Sequence, residues 1–139
     1  MFRHILVPTD FTGKSLRAMD IAAKMALNEG AKLSLLHVIE TIESTDYEEF
    51  KDFYAKLRER AEKKLDEMTA RHGGEALSIH AEIIFGNRAR EIIDFAQQHD
   101  VDLIVLSSHK IAKESPAQGW GTISYKVAIL SHCPVMMVK

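Results

Sequence analysis

Two polar segments, each directly after a short apolar run, carry the side chains best suited to hold a ligand. The first is Pro8-Thr9-Asp10-Phe11-Thr12-Gly13-Lys14-Ser15. The second runs from Ser107-Ser108-His109-Lys110 to Gly121-Thr122-Ile123-Ser124. A helix starting near Thr122 would offer free backbone N–H groups to an anion. The hydroxyls of Thr122 and Ser124 would add donors, and Lys110 would add positive charge. The same residues also read as a polar loop with an ordinary Gly-Thr helix start. In the first segment, Asp10 follows a strand, where its carboxylate could accept hydrogen bonds from a ribose or a base amine. It could equally brace the turn and cap the helix that follows.

The first segment has the spacing of a phosphate-binding loop without its chemistry. That motif needs Gly at both ends of a four-residue gap. Here the first is Pro8, which has no N–H to give a phosphate. The fourth apolar run ends in Ser107, with no Asp there to hold magnesium. Thr12 or Ser15 is therefore expected to cap a helix and Lys14 to be solvated. The histidines lack the i, i+4 spacing of metal ligands, and His109 alone lies on a candidate ligand loop. No Gly-x-Ser-x-Gly nucleophile turn is present. No structural metal and no enzymatic step are expected.

These segments need a frame. Ile5-Leu6-Val7, closed by Pro8, reads as a buried strand. Leu16, Met19, Ala22, Ala23 and Ala26 form a helical stripe from about Ser15 to Glu29, which Gly30 ends. Leu33 to Ile39 is a second strand. Phe50, Phe53, Tyr54, Leu57, Ala61, Leu65 and Met68 recur at three and four, which predicts a long helix ending at Gly73-Gly74. A third strand is expected from Leu77 to Phe85, a helix from Arg88 to His99 and a fourth strand from Asp102 to Leu106. A helix from about Thr122 to Ser131 and a last strand from Pro134 to Val138 close the chain. Strict alternation of strand and helix implies crossover connections and a parallel sheet covered on both faces. Ligands of such sheets bind beyond the C-terminal strand ends, where strand order reverses. The loops at Pro8 to Ser15, Val38 to Asp46, Phe85 to Arg88 and Ser107 to Thr122 are the candidates.

With 139 residues the chain fits a single domain. Its 46% hydrophobic and 27% charged residues argue against disorder. A net charge of -2 gives no reason to expect nucleic acid or an anionic membrane as partner. The one cysteine, Cys133, excludes an internal disulfide and fits a reducing compartment. No leader and no bilayer-length apolar run is seen, so a cytoplasmic protein is expected. The apolar strand at Pro134 to Val138 is expected to pair with a second copy.

Taken together, His4-Ile5-Leu6-Val7-Pro8-Thr9-Asp10-Phe11-Thr12, Leu35-Leu36-His37-Val38-Ile39, Gly86-Asn87-Arg88-Ala89, Asp102-Leu103-Ile104-Val105, Gly121-Thr122-Ile123-Ser124 and Cys133-Pro134-Val135 resemble the universal stress protein family over the whole chain. The resemblance implies an open, Rossmann-like five-stranded sheet of order 3-2-1-4-5, and dimers paired along the last strand. It implies a stress-response protein in which ATP or another adenine nucleotide lies by residues matching Pro8, Thr9, Asp10 and Val38. Leu106 would also border the nucleotide, and the phosphates would lie on the turn that holds Ser107, His109 and Lys110 and at the helix start Gly121, Thr122, Ile123 and Ser124. The family's binders carry Gly, two residues, Gly, nine residues, then Gly-Ser or Gly-Thr. Here Ser107 and Lys110 replace the first two glycines, and Ile111 to Trp120 makes the gap one longer. Lys110 would either pair a phosphate in an altered pose or fill its place. In the second case the chain would be a nucleotide-free dimeric interaction module.

Overall fold

The computed structural model describes residues 1–42, 46, 48–110, 113–114, 119 and 122–139. The elements are β1 (His4–Pro8), α1 (Gly13–Glu29), β2 (Lys32–Glu40), α2 (Lys51–Ala70), β3 (Ile79–Gly86), α3 (Arg88–Gln98), β4 (Leu103–Ser107), α4 (Ile123–Leu130) and β5 (Val135–Val138). They build one parallel sheet of order β3-β2-β1-β4-β5, the order that the family resemblance implies.

Strand side chains alternate between the two faces. Ile5, Val7, Leu33, Leu35, Leu103 and Val105 share one core with α1 and with Leu65 and Met68 of α2. Leu6, Leu36, Val38, Ile104 and Leu106 share the other with Ile92, Phe95 and Ala96 of α3 and Val127 of α4. Because both faces are covered, the central strands β1 and β4 read as nearly continuous apolar runs. Among the described residues no helix is long and apolar enough to cross a membrane.

Helix ends follow local chemistry. Thr12 Oγ1 accepts from Ser15 N and caps α1. Gly30 ends that helix at φ +66°, and the N–H groups of Gly30 and Ala31 both donate to the Ala26 carbonyl. Most boundaries shift by one or two residues from the sequence-based expectation, and two of the shifts have a local cause in backbone hydrogen bonds. α2 stops at Ala70 rather than at the glycines, because His72 N and Gly73 N close three-residue turns onto Thr69 O and Ala70 O. β3 begins at Ile79 rather than Leu77, since Leu77 N turns back onto Glu75 O at 2.8 Å. The Leu77 side chain still packs on the core.

The sheet splits at its centre. Asp102 fastens the lower end, its carboxylate accepting from Arg3 N at 2.9 Å and His4 N at 3.0 Å. Pairing of β1 with β4 ends at Leu6 and Ile104, whereas β1 follows β2 up to Pro8 and Leu36. Thr9 N donates to Leu36 O, on the β2 side. Successive N–H groups of a strand point to opposite neighbours, so the Pro8 nitrogen faces β4. It has no hydrogen to donate, and the two strands part there.

Candidate functional site

The parting of β1 and β4 opens a crevice on the α3/α4 face. Its inner end is an apolar slot of about 90 Å³ lined by Pro8, Leu36, Val38, Ile92, Leu106 and Ile123. Its outer end is a polar cleft of about 290 Å³ whose walls include Thr12, Lys14, Ser108, His109 and Thr122. Asp10, Arg88, Ser107, Ile123 and Ser124 border both, so slot and cleft adjoin.

Asp10 stands where they meet. Its Oδ1 accepts from Thr12 N at 3.1 Å, from Thr12 Oγ1 at 2.6 Å and from Ser15 Oγ. The turn-bracing role is therefore realised, and none of these bonds uses Oδ2. Burial pushes the carboxyl up, but the hydrogen bonds from Ser15 and Thr12 outweigh it and hold the group below the usual aspartate value of 3.8. Asp10 is thus an anion at neutral pH. It can accept from a hydroxyl or amine, and it repels a phosphate.

A folded-state pKa below the unfolded one adds stability at pH above about 3.8, and that stability is lost as pH falls through the lower folded value. Thermal melts of wild type and Asp10→Asn between pH 3 and 6 should show a gap that closes toward the acid end. A gap independent of pH would contradict the ionised brace.

The outer end is built by β4 and α4. Ser108 Oγ and Ser124 Oγ, both buried, meet at 2.9 Å and tie strand to helix. Thr122 caps α4 by accepting from Tyr125 N at 3.2 Å. The N–H groups of Ile123 and Ser124, in the first turn, have no intrahelical partner and are suited to an anion. Lys14 Nζ lies 3.3 Å from His109 Nδ1. An ammonium can only donate, so the ring nitrogen accepts. Lys14 is exposed, as expected of a solvated side chain, yet it also forms a wall of the cleft.

The structure brings together Pro8, Thr9, Asp10, Val38, Leu106, Ser107 and, across the crevice, Ile123 and Ser124. His109 and Thr122 join them at the cleft. Lys110 is exposed and lines neither part. Gly121 lies outside the described residues, as do 111–112, 115–118 and 120 of the same loop. Arg88 was missed as a site residue. Gly86 turns at φ +152°, where an added Cβ would lie 2.8 Å from the Glu91 side chain. Asn87 then caps α3 by accepting from Arg90 N, and Arg88 is brought to the crevice. The signal available was the loop from Phe85 to Arg88, which ends on the same edge of the sheet. Among the described residues no group of three or more His, Cys, Asp or Glu side chains could hold a metal ion.

Comparison with known proteins agrees with this architecture. The model of the universal stress protein family matches residues 1–139. Universal stress protein YxiE of Bacillus subtilis is 33% identical over 158 aligned residues, covering 100% of both chains. The structure of MJ0577 of Methanocaldococcus jannaschii superposes with a TM-score of 0.85 at 29% identity, covering 100% of this chain and 96% of that one. A universal stress protein solved in complex with cAMP superposes with a TM-score of 0.70 at 24% identity, covering 99% of this chain and 97% of that one. The last likeness concerns the fold.

Proposed function

Because the chain belongs to the universal stress protein family, we propose that its crevice binds an adenine nucleotide and that it acts as a homodimeric binding protein without a chemical step of its own. One observation carries this: an apolar slot and a polar cleft meet at an ionised aspartate where the central strands part. The base enters the slot against Pro8, Leu36, Val38 and Ile92. A ribose hydroxyl donates to Asp10. The phosphates, repelled by Asp10, lie outward at the first turn of α4, with Lys14 and Arg88 as nearby cations. Lys110 neither blocks nor clamps them in this pose. A protein of the same fold holding cAMP supports the reading.

Calorimetric titration with ATP, AMP and adenosine tests it. All three should bind saturably. Affinity for ATP and AMP should fall with added salt, because exposed cations are screened over about 8–10 Å. Phosphate release from ATP should not exceed the rate without protein. Absence of saturable binding by any of them would remove the nucleotide and favour the dimeric interaction module.

The dimer is proposed along β5. Ile104 N donates to Pro134 O and Ser108 N to Val138 O, so alternate residues of β5 serve β4. Val135 and Met137 then present their backbone groups to the open edge. Met136 and Met137 are each 38% exposed beside this edge. Val135→Pro removes an outward N–H and leaves the β4 ladder intact. By light scattering at micromolar concentration the wild type should be a dimer and Val135→Pro a monomer. A monomeric wild type would overturn the assembly.

A further inference from the structure

On the other face of the sheet from the crevice, a second cavity of about 290 Å³ opens between the end of β2, the loop after β1 and α2. Its floor is apolar, formed by Phe11, Ile39, Leu57 and Ala61. Its rim is basic. Arg60 and Lys64 stand one turn apart on α2, and Arg88 reaches in from the start of α3. Glu40, 3.9 Å from Arg88, is the one acid among the described lining residues.

Two observations distinguish this place from a solvated helix face. Like charges at i and i+4 repel, and Arg60 and Lys64 make no ion pair among the described residues, while neighbouring Arg58 is matched to Glu62 at 3.1 Å. Positive charge is thus gathered here in a chain whose net charge is -2. Second, Phe11 holds φ +66°, which bulky residues seldom adopt. Such strain persists where the surrounding structure enforces it and clusters at ligand sites. It sets the Phe11 ring 4.3 Å from the His37 ring, with Lys64 Nζ 5.3 Å from the Phe11 centroid. His37, which also lines the cavity, donates from Nδ1 to Thr9 O at 2.8 Å, so Nε2 of the neutral ring is an acceptor.

We infer that this cavity is a second ligand site, for a small aromatic phosphate: the phosphate between Arg60, Lys64 and Arg88, the flat ring over Phe11 and Leu57. Guanidinium groups pair phosphate oxygens in a two-pronged geometry, and the ammonium adds a point charge. The apolar floor takes up a ring that inorganic phosphate lacks. Arg88 lines both places, whereas Arg60 and Lys64 do not line the crevice, so substitution at these two residues separates the sites.

The test is calorimetric titration of the full chain with 1-naphthyl phosphate, inorganic phosphate and 1-naphthol, on wild type, Arg60→Gln and Lys64→Gln. Both positions are exposed on a helix surface, and circular dichroism checks that the variants fold. 1-Naphthyl phosphate should bind wild type at least about tenfold more tightly than either fragment. Each substitution should weaken it by about tenfold, the scale of one lost charge-assisted hydrogen bond. Adenosine binding in the crevice should be unchanged in both variants, so this result is read independently of the nucleotide. Unchanged 1-naphthyl phosphate affinity in both variants, or binding by either fragment as tight as the whole, would overturn the proposal.

Discussion

Leu36→Ala and Leu35→Ala are each expected to cost about 2–5 kcal/mol of folding stability, measured by urea denaturation, because each removes a buried side chain from a packed core. The two residues are neighbours in β2, 1% and 0% exposed, and they face opposite sides of the sheet. Leu36 pairs with Pro8 across the sheet and lines the apolar slot. Leu35 belongs to the core under α1 and borders neither part of the crevice. Adenosine affinity should therefore change in Leu36→Ala and stay at the wild-type value in Leu35→Ala. Equal effects of both on binding would mean that the slot is not where the base lies.

Asp10→Ala should weaken adenosine binding by about 1–3 kcal/mol, the usual cost of losing a hydrogen bond to a charged group. It should also lower the melting temperature, since Oδ1 accepts from Thr12 and Ser15 at the start of α1. Thr12→Ala separates the two roles. It removes the cap and one donor to Asp10 but leaves the carboxylate in place. It should lower stability by about 0.5–2 kcal/mol, as lost caps do, with little change in affinity. Unchanged adenosine affinity in Asp10→Ala would take Asp10 out of the ligand site and leave it as a brace for the turn.

Most of the frame can be read from residue pattern because both faces of the sheet are buried. Strands such as Leu33 to Ile39 then appear as apolar runs, and helices as stripes at three and four. Where α2 ends and β3 begins was less legible. The short turns over 69–77 rest on backbone bonds that no residue type there demands. The site follows the same division. Pro8, Asp10, Val38 and Leu106 lie at strand ends, and strand ends fix where the crevice opens. Arg88 and Lys14 reach it through side-chain directions set by the turn at Gly86 and by the approach to His109. Lys110 shows the converse. Beyond β4 no periodicity tells which way a side chain points, and this one is exposed and lines neither part of the crevice. Phe11 was legible only as part of a turn, since its left-handed backbone conformation has no signature in a bulky residue.

The claim that an adenine nucleotide lies between β1 and β4 is tested most directly by following backbone amide resonances as AMP is added to the wild-type protein. Saturable shifts are expected at Thr9, Asp10, Val38, Ser107, Ile123 and Ser124, the residues around the slot and the start of α4. The outer edge of β5 and the N-terminal strand ends should stay unmoved. The absence of saturable shifts, or shifts confined to residues away from these strand ends, would contradict it.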